Sequence, residues 1–376
     1  MITIDGFVIT DKAIRSAFWL LSRALGLNAK TIECAVASDG RYNTIFVRKG
    51  NGNKKKRRID IPCSSLKEIQ TLLLRRCFER ISLRSLPDWE MLVGYKKGLS
   101  NTNNISPHIG NEFFLQIDLS DAFPSVNTTM IRKALAVLFE VRTITSIFSS
   151  EQTCYFRREY LAGIKKPAQR KLKEQEEPDE IQATPLEILW GLREVVIWLT
   201  MLENKLPQGA PTSPFLFNLV IADQRLPSIV LESARSFLGE QDDSLKVTLY
   251  ADNITISAKN RLLISDTAVG NIISNVEART PFRVNRNKVF CNVIKYGSPN
   301  ITGLAIGERQ GKRIATVSRA TQRRIRGLLH AATTNPDLKE TALGSVAYLL
   351  NVYGGRDNLP KQIRDPYDKI LAASSA

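Results

Sequence analysis

The segment VTLYADNITIS, residues 247 to 257, constrains the fold more than any other part of the chain. Two runs rich in β-branched residues, Val247–Tyr250 and Ile254–Ser257, flank the polar sequence Ala251-Asp252-Asn253. That pattern predicts an antiparallel hairpin. Asp and Asn are ordinary turn formers, so the hairpin alone implies no chemistry. The question is whether the rest of the chain brings a second carboxylate to Asp252, and what Asn253 does beside it.

A chain of 376 residues with 43% hydrophobic content can bury a substantial core, in two or three lobes. Its net charge of +16, from 53 Lys and Arg against 37 Asp and Glu, favours a polyanionic partner, nucleic acid before an anionic membrane. No apolar run approaches the roughly 20 residues of a spanning helix, and the N-terminus lacks the basic-then-apolar order of a signal peptide. The membrane class is therefore disfavoured. Five cysteines without a C-x-x-C pair read as reduced thiols in a cytoplasmic protein. Two histidines, His108 and His330, in no metal-binding pattern, argue against zinc.

Along the chain, residues 11 to 27 predict an amphipathic helix capped by Asp11 and ended near Gly26. Residues 42 to 62 predict a hairpin whose second strand follows the basic run 54 to 58. From Ser64, apolar residues at 66, 69, 72, 73 and 77 predict a helix with one buried face. EFFLQIDLSDAF (112 to 123) is a hydrophobic strand opening into an acidic turn. The stretch 140 to 205 fits no single element; its centre, 156 to 182, runs basic then acidic and reads as an exposed insertion. PQGAPTSP (207 to 214) is a loop before an apolar helix. A further helix is expected over 264 to 279, and the chain is mostly helical after residue 318.

Asp118 stands at a strand end, and Asp252 stands in the hairpin turn. Two carboxylates from separate strands suit Mg²⁺, which takes oxygen ligands and keeps substrate phosphates in its shell. Two such ions about 4 Å apart activate an attacking hydroxyl and stabilise a leaving pyrophosphate.

The surrounding motifs, in order, resemble those of bacterial reverse transcriptases, most closely the retron type, over roughly residues 40 to 355. RRIDIPCSSLKEIQ resembles the fingers segment, which implies triphosphate contact by Arg57 with Arg58 beside it. QIDLSDAFPSV resembles the first metal motif, implying Asp118 as ligand, Asp121 and Ala122 under the triphosphate, and Phe123 screening the sugar 2′ position. LPQGAPTSP resembles the segment packed against the incoming nucleotide, with Gln208 and Gly209 at its centre. LYADN stands where the family carries Tyr-x-Asp-Asp, so Asn253 replaces the second carboxylate. FRVNRNKV resembles the following motif, implying Lys288 as general acid. Asn104 and His108, four apart, and the triplet Ile301-Thr302-Gly303 are similar to retron marks, which implies an RNA-placing role for Asn104 and His108.

The resemblance implies an α+β right-hand polymerase fold: N-terminal helix and fingers over 1–105, an antiparallel-sheet palm over 106–300 with the insertion near 140–205, and a helical thumb over 301–376. It implies RNA-directed DNA synthesis with Mg²⁺, or Mn²⁺ given Asn253, on a structured non-coding RNA. The partners implied are that RNA, its DNA product, dNTPs and an effector protein in phage defence. Arg319, Arg323 and Arg326 recur on one helical face and are expected to ride on an RNA backbone.

Each residue has a plainer reading. Asp118 could cap a strand end, and Phe123 could be a core aromatic. Arg57 and Lys288 could be solvated charges, and His108 a buried, hydrogen-bonded histidine. The rival functions are a different bacterial defence reverse transcriptase, with an unusual template or none, and a dead RNA-binding scaffold of which Asn253 is the first sign of decay. Retention of Asp118, Asp252, Phe123, Gln208 and Lys288 together argues against decay. A maturase is disfavoured, because the sequence ends at 376 without an added DNA-binding segment.

Overall fold

The computed structural model describes residues 2–4, 7–48, 56–81, 83–84, 86–138, 183, 185–239 and 242–375. In chain order the elements are β1 (Ile2–Ile4), β2 (Phe7–Ile9), α1 (Asp11–Leu25), α2 (Ala29–Ala37), β3 (Tyr42–Arg48), β4 (Lys56–Pro62), α3 (Ser64–Leu72) and α4 (Asn101–Ile105). There follow β5 (Phe113–Asp118), α5 (Ala122–Ser125), α6 (Thr128–Leu138), α7 (Pro185–Thr200), α8 (Ser213–Asp223) and α9 (Leu226–Leu238). The rest are β6 (Lys246–Tyr250), β7 (Asn253–Ala258), α10 (Asp266–Arg279), β8 (Phe290–Val293), β9 (Leu304–Arg309), β10 (Lys312–Val317), α11 (Arg319–Thr334), α12 (Lys339–Tyr353) and α13 (Lys361–Ser375). Contacts divide the chain into two compact units, each assembled from two stretches of sequence.

The first unit comprises Met1–Trp89 and Asp121–Arg225. Its first helix starts one residue earlier in logic than the sequence suggests. Thr10, not Asp11, is the N-cap, accepting from the Ala13 N–H at 3.2 Å, and Gly26 closes the helix at φ 64°. The apolar spacing from Ser64 buries Leu66, Ile69, Leu73 and Cys77, but the last of these lie on a π-helical turn, Leu73–Cys77, that continues α3. The basic hairpin forms with Tyr42 opposite Pro62 and Val47 opposite Arg57; residues 49–55 at its tip lie outside the described residues.

The inserted segment near 140–205 needs correction only after residue 182. Residues 139–182 lie outside the described residues, but 185–200 form α7, which buries Ile188, Leu192, Val195 and Val196 and packs on α1. The two helices approach so closely that a Cβ on Gly191 would lie 2.6 Å from the Ala13 carbonyl oxygen. Glu194, 2% exposed, is matched by Arg132 through bonds of 2.7 and 3.0 Å, a two-pronged pairing that a buried carboxylate requires. An all-round apolar stretch with few charges conceals its buried face from periodicity arguments.

The second unit comprises Glu90–Ser120 and Leu226–Ala376. Its centre is an antiparallel sheet of order β6-β7-β5-β8. Ile117 pairs with Ile254 and Leu115 with Ile256, and every residue of β7 after Asn253 is buried. Helices α9 and α10 pack together, and α9 also packs on β6. The helix expected over 264–279 begins at Asp266, because Ser265 caps it. The β9–β10 hairpin turns through Gln310 and Gly311, both at positive φ, as a tight two-residue turn demands. That hairpin and α11, α12 and α13 share one apolar cluster, including Val317, Ile325, Leu329, Val346, Leu349 and Ile363. Among the described residues, no helix is long and apolar enough to cross a membrane.

Candidate active site

The hairpin forms as its pattern requires, with a shorter turn than the sequence suggests. Tyr250 pairs with Asn253, which is already the first residue of β7, so only Ala251 and Asp252 turn. Ala251 adopts φ 57°, a left-handed conformation that costs a residue with a Cβ roughly 1 kcal/mol or more. The chain holds it there through a segment that carries no motif. Val93 and Gly94 donate to the Leu249 carbonyl at 2.8 and 3.3 Å, and a Cβ on Gly94 would lie 2.6 Å from the Ala251 nitrogen. Only glycine allows that approach. Tyr95 then packs its ring 6.2 Å from that of Tyr250.

Asp118 ends β5 directly opposite Asn253, and the Leu119 N–H donates to the Asp252 carbonyl at 2.9 Å. The sheet thus joins two positions separated by over a hundred residues. Asp118 is 8% exposed and is gripped from a third segment: Lys288 Nζ donates to both carboxylate oxygens at 2.9 Å, and the Asn285 N–H donates to its carbonyl at 2.8 Å. Glu277 anchors the approach to that segment. Its carboxylate accepts from the Val284 N–H at 2.9 Å and from Arg286 at 2.7 Å. The Val284 bond first, and then the Arg286 charge, hold its carboxyl below the usual range. Asn253 donates from Nδ2 to Asp252 Oδ1 at 3.0 Å. A carboxylate at 253 would repel Asp252 there, whereas the carboxamide bonds to it.

Beside these groups, Asp118, Asn253 and Lys288 line a cavity of about 570 Å³ with Gln116, Asn292, Thr302 and the half-exposed ring of Phe290. The donor set fits Mg²⁺. The carboxylates of Asp118 and Asp252 and the carboxamide oxygen of Asn253 are hard oxygen donors, and this ion fills its remaining positions with water and phosphate. Among the described residues no three His, Cys, Asp or Glu converge.

Asn104 and His108 require correction. Both are fully buried, so neither side chain reaches an RNA. His108 spends both ring nitrogens inside the protein, Nδ1 with Ser257 Oγ at 2.7 Å and Nε2 with Thr248 Oγ1 at 2.8 Å. Asn111 donates to the same Ser257 at 2.7 Å. Ser257 and Thr248 belong to β7 and β6, so His108 clamps the hairpin that carries Asp252. Burial first, and Lys246 second, push its pKa down to about 3. Asn104 donates to Thr302 Oγ1 at 3.3 Å, which ties it to the Ile301-Thr302-Gly303 triplet.

The remaining expected residues fall elsewhere. Arg319, Arg323 and Arg326 lie exposed on α11, with Ile325 and Leu329 buried and Leu328 half-buried behind them. Arg57, Arg58, Asp121, Ala122, Phe123, Gln208 and Gly209 belong to the first unit. There Arg58 is engaged by Asp60 at 2.8 Å and Glu203 at 3.1 Å; the bonds to Glu203 and then Asp60 raise its pKa. Arg58 is exposed but held by two carboxylates, whereas Arg57, also exposed, has no carboxylate partner among the described residues. The Gln208 carbonyl accepts from the Asp60 N–H at 2.8 Å, and Gly209, at φ 124°, leaves no room for a Cβ against the Asp60 carbonyl. Phe123, 8% exposed, stacks on Phe217 with centroids 4.8 Å apart; Ala122 is buried, and Asp121 is exposed at φ 43°.

Sequence reasoning passed over Gly94, Asn111, Asn285 and Glu277. Gly94 had a local signal, an unexplained glycine between apolar residues; Asn111 and Asn285 act through partners distant in sequence, and Glu277 through Val284 and Arg286 on the next loop.

The antiparallel sheet of this α+β frame brings Asp118 beside Asp252 at the ends of adjacent strands, the arrangement that the sequence motifs imply. The chain is similar to curated retron reverse transcriptases. It is 28% identical to the Retron Ec86 reverse transcriptase of Escherichia coli over 243 residues, 64% of this chain and 56% of that protein. It is 24% identical to the Retron Mx65 reverse transcriptase of Myxococcus xanthus over 303 residues, 79% of this chain and 57% of that protein. These relatives bear out the retron-type resemblance carried by the motifs, and the chain spans a little over half of their length. No family model matches. Similar solved structures include a Candida albicans telomerase with the TWJ fragment of telomeric RNA, at 12% identity and TM-score 0.45 over 88% of this chain and 56% of that one. An apo telomerase from Candida tropicalis gives 14% identity and TM-score 0.40 over 72% and 48%.

Proposed function

We propose that this protein is an RNA-directed DNA polymerase that copies a dedicated structured RNA with dNTPs by a two-metal mechanism. The observation that carries this reading is the pairing of Asp118 with Asn253 across β5 and β7, which sets Asp118 beside Asp252, with Lys288 on Asp118. Asp118, Asp252 and the Asn253 carboxamide would hold Mg²⁺, or Mn²⁺. When bound, the ions supply charge neutralisation on the triphosphate and activation of the primer hydroxyl.

The chain's own residues do the rest. Asn285 and the β5–β7 register hold Asp118 in place, so no reorganisation is needed at reaction. Lys288 carries a proton at Nζ for the departing pyrophosphate. Arg57 takes triphosphate oxygens, while Arg58 stiffens the strand beneath it. The backbone at Asp121 and Ala122 lies under the triphosphate, and the Gln208–Gly209 loop packs against the nucleotide. Phe123, held on Phe217, excludes a ribose 2′-hydroxyl; Phe123→Ala should raise the ratio of rNTP to dNTP incorporation. In this reading residues 1–105 are fingers, 106–300 palm and 301–376 thumb, and the protein works in the cytoplasm with an effector partner in phage defence.

The test is primer extension on RNA, with sequencing of the nucleic acid that copurifies. Asp118→Ala and Asp252→Ala should each abolish incorporation while leaving the fold intact. Asn253 favours one second reading, a scaffold that binds RNA without copying it. Inert wild type on every template, including its copurified RNA, together with active Asn253→Asp, would establish that reading instead.

A further inference from the structure

Helix α7 is followed at once by a tight reversal whose two central residues are Glu203 and Asn204. Leu202 and Lys205 close it by exchanging backbone hydrogen bonds of 2.9 and 2.8 Å. Both central residues adopt positive φ, 50° and 58°. Asparagine tolerates that conformation, but glutamate does not take it readily, and such a turn is ordinarily built with glycine. A strained backbone persists only where its surroundings hold it. Before the turn, Arg41 and Gln70 donate to the Trp198 and Leu199 carbonyls at 2.6 and 2.7 Å, which fixes the end of α7. Within it, both side chains reach separate segments of the first unit. Glu203 Oε2 accepts from Arg58 Nη1 on β4 at 3.1 Å. Asn204 Oδ1 accepts from the Thr128 N–H at 3.0 Å, and so caps the start of α6 from 76 residues away. After the turn, the Leu206 N–H donates to the Val126 carbonyl at 3.0 Å.

These bonds end on the segments that the polymerase reading assigns to the incoming nucleotide. Val126 and Thr128 follow Phe123 closely, and the Val126 N–H donates to the Phe123 carbonyl at 3.1 Å. Arg58 neighbours Arg57 on β4. Gln208 lies two residues past Leu206, and its carbonyl accepts from the Asp60 N–H at 2.8 Å. One turn therefore ties together the strand of Arg57, the short helix of Phe123 and the loop of Gln208 and Gly209, all within the first unit. We propose that Asn204 is a positioning residue: through the Thr128 N–H it sets where Phe123 stands relative to the Gln208–Gly209 loop. It thereby governs affinity for a dNTP and rejection of an rNTP without touching either. Glycine would ease the φ of 58° but leave the Thr128 N–H uncapped, so the position requires the side chain and not only the backbone. The inference rests on the polymerase reading for the role of Phe123.

The test is single-nucleotide incorporation by the full chain on a primed RNA template, with dNTP and with rNTP, alongside thermal melts. Asn204→Gly keeps the turn and removes only the cap. It should raise KM for the dNTP by roughly tenfold, the scale of one hydrogen bond where placement matters, and raise the rNTP/dNTP ratio several-fold. KM for the primer–template should not move. Asn204→Asp retains an acceptor for the Thr128 N–H and should restore both the dNTP KM and the ratio. A merely structural role gives a different pattern: kcat falls with the folded fraction, while both KM values and the ratio hold. That pattern overturns the proposal. So does an Asn204→Gly variant indistinguishable from wild type, or an Asn204→Asp variant that fails to rescue. In each of these cases incorporation by wild type leaves the polymerase reading standing. A wild type that incorporates nothing on any template removes that reading, and this inference with it.

Discussion

The Lys288 ammonium lies 2.9 Å from each carboxylate oxygen of Asp118, although the two residues are 170 apart in sequence. The lysine side chain is 51% exposed and the aspartate side chain 11%. A nearly buried carboxylate therefore carries its own counter-ion at the place where a divalent cation is expected. Lys288→Gln should lower single-turnover incorporation by roughly 10²–10⁴-fold if the ammonium supplies the proton. It should also steepen the stabilisation of the protein by Mg²⁺ in thermal melts, because no internal cation then competes for Asp118. Unchanged melts and turnover together would reduce Lys288 to a surface charge.

Asn253 donates to Asp252 at 3.0 Å, and this bond makes a definite forecast for Asn253→Asp. The near-isosteric change replaces an attraction by a repulsion between adjacent carboxylates. Without divalent ions the variant should melt lower than wild type. With Mg²⁺ the order should narrow or reverse, and incorporation on a generic primer–template should equal or exceed wild type. A variant insensitive to Mg²⁺ in both assays would place residue 253 outside the metal's reach.

His108 predicts a pH dependence of stability. Its pKa falls from an ordinary 6.5 to about 3 in the folded protein, so the native state resists a proton that the unfolded chain accepts. The stabilisation is complete above pH 6.5 and is lost as pH falls from there toward 3, at about 1.4 kcal/mol per unit. His108→Leu should flatten that part of the wild-type profile. At neutral pH it should cost about 1–3 kcal/mol, because the Thr248 and Ser257 hydroxyls lose their shared partner. Denaturant melts from pH 7 to pH 4 on both proteins check this; parallel profiles would mean that His108 is not the group excluded from protonation.

Gly94→Ala should damage the Ala251–Asp252 turn specifically. The new Cβ meets backbone at Ala251, 2.6 Å away, which no side-chain rotation relieves. Gly191→Ala makes an equally close contact with the Ala13 carbonyl in the first unit and serves as the comparison. Both should lose about 1–3 kcal/mol of stability. Only Gly94→Ala should lose incorporation more than tenfold at a temperature where both remain folded, since a small misplacement at the reacting centre is costly.

What the sequence by itself determined is the local chemistry and its order. β-branched alternation specified the hairpin around Asp252, the register of which follows from keeping Ile254 and Ile256 inside. The strand before Asp118 and the arginine row of α11 were legible for the same reason, because periodicity records which face a backbone element must bury. The motif order then carried the resemblance to retron-type enzymes. Tertiary structure alone decided which polar groups meet. His108 and Asn104 stand in a recognisable motif, yet burial makes them internal fasteners. Arg57 and Arg58 are neighbours in one basic run, yet only Arg58 meets Asp60 and Glu203. Helix α7 showed no clear stripe because it is apolar on nearly every side. Gly94 against Ala251, and Lys288 on Asp118, join segments far apart in the chain. Such contacts depend on the packing of whole elements against each other, and no local pattern of residues encodes a distance across the fold.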